Sequence, residues 1–171
     1  MFDFYLKNKI KSAFKNNKRT HLFHSFEDAK KILILFNYKD WNEVSIIEKE
    51  LRNCRKTVLL WTHQTDADDI SQTLPNTRDV KVIIPKEVSK IKGLNSLVIK
   101  EFEDLKYDTL IDLSTAPDDI LLYLLSINKA EFCMGYKKYS DGVLDLCVLD
   151  KDQTNILETY KLIKFYWDNI R

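Results

Sequence analysis

Asp40, His63, Asp112, Ser114 and Thr115 are the residues of this sequence whose types and positions could do chemistry. Asp112 and Ser114 close the run TLIDLS (109–114), an otherwise apolar strand-like stretch. A carboxylate there must be paired or hydrogen-bonded, because an isolated buried charge is expensive. It would serve either as a site carboxylate perturbed by burial or as a tie for neighbouring loop amides. His63 opens a polar segment holding Asp66-Ala67-Asp68-Asp69. Such a DxD can hold a hard divalent cation against a nucleotide-sugar diphosphate, whereas the common role of the same residues is a solvated loop. No metal site is assigned. Asp40 follows the run KILILF (31–36) and stands where a helix would begin.

Several chemistries are excluded. The loop after the first strand is Asn37-Tyr38-Lys39-Asp40-Trp41, without glycine, and the chain has only three glycines. A dinucleotide fingerprint needs glycines so that the backbone can approach the pyrophosphate, and a P-loop needs Gly-Lys-Ser/Thr. NAD, FAD and Walker-type ATP binding are therefore not expected, and no cofactor is assigned. A mononucleotide or sugar at the helix start formed by residues 40–43 stays open, although the Asp40 carboxylate would repel a phosphate there. His21 and His24 have HxxH spacing with no cysteine or carboxylate cluster to complete a metal site, and a structural or surface role is expected. There is no GxSxG and no cysteine with an evident base partner.

These residues need a scaffold, and the pattern supplies one. KILILF (31–36), helical spacing at Trp41, Val44, Ile47, Leu51 and Cys54, then TVLLW (57–61) form a βαβ unit. Asp40 with Glu43 fits a capping box. Residues 63–79 are polar and read as a short helix or an irregular loop. VKVIIP (80–85) is a third strand, 86–92 a helical turn, and LVIKEF (97–102) a short fourth strand at an edge. After TLIDLS, Ser114 or Thr115 caps a leucine-rich helix, with Pro117, Asp118 and Asp119 in its first turn. EFCMGY (131–136) follows, where Gly135 is read as taking a backbone shape that a Cβ would oppose. Asp141-Gly142 signals a hairpin leading to a strand at 143–148. A helix from about 153 to 170 carries Ile156, Tyr160, Ile163, Trp167 and Ile170 on one face.

Alternating strands and helices predict an α/β chain: one three-layer, Rossmann-like domain over residues 1–171. Its sheet should be mostly parallel with helices on both faces and flanking N- and C-terminal helices. A short antiparallel edge addition is expected near 131–148. Ligands of such sheets bind beyond the carboxyl ends of the strands, where strand order reverses. With the first strand beside the 109–113 strand, that crevice is lined by 37–41 and 113–117, and 62–66 lies alongside.

A chain of 171 residues with 44% hydrophobic residues supports a core without staples. Net charge is +1, which removes the general electrostatic argument for nucleic acid. Cys54, Cys133 and Cys147 show no CxxC pairing and read as reduced, small buried residues of a cytoplasmic protein. No apolar stretch reaches the roughly 20 residues of a membrane span, and no signal peptide is read at the N-terminus. Residues 2–15 place Phe2, Leu6, Ile10, Ala13 and Phe14 on one helical face and Lys7, Lys11, Lys15 and Lys18 on another. Such a helix either docks its stripe on its own domain or lies on an anionic membrane.

The stretch Tyr107-Asp108, Ile111-Asp112-Leu113, the leucine-rich helix and Ala130 through Gly135 resembles the N-terminal Rossmann-like domain of heptosyltransferase-like (GT-B) glycosyltransferases. The whole chain looks more like an uncharacterised Bacteroidota family of unknown function. The enzymes bind their nucleotide sugar mainly on a second domain and carry a glycine-containing first loop. This chain has Asn-Tyr-Lys-Asp-Trp there, so the resemblance implies a fold more than an activity. The expected role is a non-catalytic Rossmann-like module that binds a small molecule or a protein. The alternatives are a glycosyltransferase-like protein acting with a partner domain through Asp40, His63, Asp112 and Ser114, and a peripheral membrane protein.

Overall fold

The computed structural model describes residues 2–90, 92–136, 142–149 and 155–170, so Asp141 of the expected hairpin turn lies outside the described residues. The central strand, β1 (Lys31–Asn37), is buried from Ile32 to its end. Successive side chains of a strand point to opposite faces. Ile32, Ile34 and Phe36 accordingly join one core, with α2 (Trp41–Asn53) and α5 (Ile156–Asn169) over it. Leu33 and Leu35 join the other, under α1 (Phe2–Asn16), α3 (Ser96–Glu103) and α4 (Asp119–Ser126). Each fully buried aliphatic or aromatic side chain contributes about 1.5–3 kcal/mol relative to exposure, so the two layers hold the sheet from both sides.

The remaining strands are β2 (Thr57–His63), β3 (Val80–Ile83), β4 (Val88–Ser89), β5 (Gly93–Leu94), β6 (Thr109–Asp112), β7 (Phe132–Tyr136) and β8 (Leu146–Val148). The main sheet has the order β3-β2-β1-β6-β7-β8, every pair parallel. With the small β4–β5 hairpin set aside, this is the doubly wound order of a Rossmann-like α/β fold, as its alternating pattern implies. β4 and β5 pair antiparallel as a separate two-stranded sheet. No helix among the described residues is long and apolar enough to cross a membrane.

Four local expectations are corrected. LVIKEF is helix, not strand: Val98 and Phe102, four residues apart, are buried in α3, and Asn95 accepts a hydrogen bond from the Leu97 amide at 2.8 Å. As a strand the same residues would have put Lys100 on the buried face with them. The addition at the sheet edge is parallel, with Met134 opposite Leu146 and Tyr136 opposite Val148. The chain first returns to the start of β7, where the Asp145 amide donates to the Cys133 carbonyl at 2.7 Å and the Asp145 carboxylate accepts from the Cys133 amide. Gly135 does not need glycine for its backbone angles; it needs the space, since a Cβ would lie 2.9 Å from the Asp112 carbonyl oxygen. Of the cysteines only Cys133 is buried, while Cys54 and Cys147 are exposed.

The N-terminal helix docks on its own domain. Leu6 and Ile10 are buried, and Lys9 stands 4.5 Å from the centre of the Tyr123 ring on α4. Lys7, Lys11 and Lys15 stay exposed on its outer surface, with Lys18 exposed just past its end.

Candidate functional site

Strand order reverses between β1 and β6, where Leu35 stands opposite Asp112. The crevice at their carboxyl ends is therefore bounded by residues 37–41 and 113–117. Its polar contacts join the two walls or brace one of them.

Asn37 ends β1 almost fully buried. Its amide nitrogen donates to the Ala116 carbonyl at 3.2 Å, and its oxygen accepts from the Ala116 amide at 2.8 Å. One side chain thus continues the ladder beyond the end of β6. Next to it the Thr115 hydroxyl donates to Asp40 Oδ2 at 2.6 Å. Asp40 is the residue before α2, yet its side chain makes no capping bond, so the expected capping box does not form. Its carboxylate turns across the crevice instead.

Asp112 is 2% exposed, and its Oδ1 accepts from the Ser114 amide at 3.0 Å and from the Ser114 hydroxyl. The Ser114 carbonyl in turn accepts from the Tyr136 hydroxyl. Asp112 thereby fixes the first turn beyond β6, which is the loop-amide role. Neither Ser114 nor Thr115 caps α4. Asp118 does, accepting from the amides of Ile120 at 2.9 Å and Leu121 at 3.1 Å.

The second oxygen of Asp118 receives His63. His63 Nδ1 lies 2.8 Å from Asp118 Oδ2, with the two side chains 11% and 7% exposed. A carboxylate on Nδ1 fixes the ring's orientation and leaves Nε2 to face another partner. No hydrogen bond to His63 Nε2 is made among the described residues.

The loop 64–79 closes the side of the crevice. The Tyr38 hydroxyl donates to the Gln72 carbonyl at 2.9 Å, and Gln72 returns a bond to the Lys39 carbonyl. Burial, then the charge of Asp69, raises the pKa of Tyr38. Gln64 donates to the Asp69 carbonyl at 2.8 Å, and Asp66 accepts from the Asp68 amide at 3.0 Å. The DxD is a turn in which the Asp66 carboxylate holds backbone, and Asp69 beside it accepts from the Ser71 amide at 2.8 Å. Among the described residues no three His, Cys, Asp or Glu side chains are grouped to hold a metal ion.

The crevice thus gathers Asp40, His63, Asp112, Ser114 and Thr115, joined as Asp40–Thr115, Asp112–Ser114 and His63–Asp118. Asn37 and Asp118 are the members that sequence reasoning did not single out. Asp118 had a readable signal, the first of two acidic residues before the apolar run ILLYLL. Asn37 had none, because a polar residue closing a buried strand looks like the start of any loop. His21 and His24 lie at the opposite end of the sheet. His21 pairs with Asp145 at 2.7 Å and His24 with Glu131, just before β8 and β7.

No curated protein and no solved structure matches the chain. A family model described as a family of unknown function (DUF6913) matches residues 3–169, and the chain belongs to that family.

Proposed function

We propose that this member of a family of unknown function is a non-catalytic Rossmann-like module of the cytoplasm that binds a small molecule or a protein. The observation that carries this reading is the state of the crevice. Asn37 is bonded to Ala116 and Asp40 to Thr115 across the crevice, and Asp112 ties Ser114 within one wall, so these polar groups already have partners. A ligand that entered would have to break charge-assisted bonds, and an unmatched buried group costs about 1–3 kcal/mol. The missing glycines point the same way, since the backbone after β1 cannot approach a pyrophosphate. The three cysteines, Cys54, Cys133 and Cys147, show no CxxC pairing, which supports a reducing compartment.

Thermal unfolding in the presence of nucleotides, nucleotide sugars and sugar phosphates tests the reading. No stabilisation by any of them is expected. A rise of several degrees with one donor would sink it.

A second reading, a glycosyltransferase-like protein that works with a partner domain, is favoured by His63 alone. Its ring is oriented by Asp118 at the carboxyl end of β2, where a sugar-phosphate group would lie. If a donor does bind, His63→Gln should abolish the effect; binding that survives the substitution removes this reading.

A further inference from the structure

We propose that the face formed by α1, the β4–β5 hairpin and the start of α3 is a docking surface for an anionic lipid bilayer. The apolar stripe of α1 cannot be what inserts, because Leu6 and Ile10 are buried in the domain's own core. What α1 offers is its other side. Phe4 is 73% and Tyr5 54% exposed there, beside Lys7, Lys11 and Lys15.

The hairpin extends this face. Gly93 packs on α1 so closely that a Cβ would lie 3.3 Å from Leu6 Cδ1. An open cavity of about 590 Å³ lies between the elements, with Tyr5 and Lys9 on one wall and Lys86, Lys92 and Ser96 on the other. Leu97, the next residue of α3, is 75% exposed. Glu87 also lines the cavity, but Lys81 holds its carboxylate at 3.0 Å and the Ile84 amide donates to it. Among the described residues Lys11, Lys15, Lys86, Lys90 and Lys92 take part in no ion pair.

Charge is therefore segregated. Of the six basic residues in 1–20, Arg19 is buried against Asp145 at 2.8 Å, which leaves five lysines and one aspartate, and 85–92 add three lysines and one glutamate, in a chain of net charge +1. Lysines interleaved with exposed aromatic and leucine side chains suit the bilayer interface: the apolar groups enter the headgroup boundary and the ammonium groups meet anionic headgroups. Nucleic acid would use the lysines but leave Leu97 without a role.

Co-sedimentation of the full chain with phosphatidylcholine vesicles, with and without phosphatidylglycerol, tests the proposal. The protein should pellet with the anionic vesicles only, and 0.5 M salt should release it. Each lysine near such a surface contributes about fivefold in partitioning, so Lys86→Glu with Lys92→Glu should lower binding more than tenfold. Lys11→Glu should weaken it less, and Phe4→Ser several-fold. Lys49→Glu on α2, across the sheet, should change nothing. All positions are exposed, and circular dichroism checks the fold of each variant. Absence of binding to anionic vesicles, equal binding to neutral ones, or an equal loss in Lys49→Glu overturns the proposal. So does tighter binding to a DNA duplex that the hairpin variant abolishes.

Discussion

The Asp118 carboxylate serves two elements at once: Oδ2 lies 2.8 Å from His63 Nδ1 at the end of β2, and Oδ1 caps α4. The two roles separate by substitution. Asp118→Ala removes both and should cost about 2 kcal/mol, of which the cap accounts for about 1. Asp118→Ser keeps a capping oxygen and releases only His63. For a chain of this size 1 kcal/mol moves the thermal midpoint by about 2–4 °C. The alanine variant should therefore melt several degrees below the serine variant, by calorimetry or circular dichroism. Equal midpoints would show that the cap contributes nothing.

Gly135 stands opposite Asp112 in the β6–β7 pair. A methyl group there would meet the Asp112 carbonyl oxygen at 2.9 Å, Leu144 Cδ1 at 3.2 Å and Asp112 Cβ at 3.3 Å. The nearest of these is backbone in the middle of a parallel sheet and cannot move aside cheaply. Gly135→Ala should destabilise by about 1–3 kcal/mol, the usual cost of overpacking. Urea unfolding would read it as a lower midpoint at unchanged slope. A variant as stable as the parent would mean that the sheet yields there.

The layers were legible because burial leaves a period. Ile32 to Phe36 is apolar at every position and of strand length, as a strand covered on both faces requires, and Trp41, Val44, Ile47 and Leu51 recur at helical spacing. The position of the crevice followed from the strand order. Its partnerships did not. Asp40 had a local use as a cap, but Thr115 offers it a hydroxyl from 75 residues away, and the tertiary bond prevails. Such pairings depend on which loops the sheet brings side by side, which no local spacing records. The same holds at 97–102, where the short run LVIKEF fits either period until the neighbours of Val98 and Phe102 decide it.

The three thiols should separate cleanly by reactivity. Cys133 lies in the core beneath α4, and burial pushes its pKa well above the ordinary thiol range. Only a thiolate attacks a disulfide reagent, so this residue should be inert in the folded protein. Cys54 and Cys147 are exposed. Titration with a coloured disulfide reagent should count two thiols in native buffer and the third only in denaturant. Three fast equivalents would show that the core opens readily at β7.

Tyr160 and Tyr107 set the alkaline limit of stability. Burial raises both pKa values above the ordinary 10.0, helped at Tyr160 by the charge of Glu50 and opposed at Tyr107 by the Lys129 amide, which donates to its hydroxyl. A group held protonated in the fold stabilises fully below its unfolded pKa. Above about pH 10 the unfolded chain releases protons that the folded chain retains, so stability falls, by about 1.4 kcal/mol per pH unit for each group. Tyr160 carries a second consequence. Its hydroxyl is buried without a hydrogen-bond partner among the described residues. Removing such a group relieves a desolvation cost, so Tyr160→Phe should raise stability by about 1 kcal/mol at pH 8. It should also flatten the decline above pH 10. Tyr107→Phe should flatten the decline too but lower stability at pH 8, because it strips the Lys129 amide of its acceptor. Melting curves of the three proteins between pH 8 and 11 distinguish these outcomes. A Tyr160→Phe variant less stable than the parent would mean that the hydroxyl is satisfied after all.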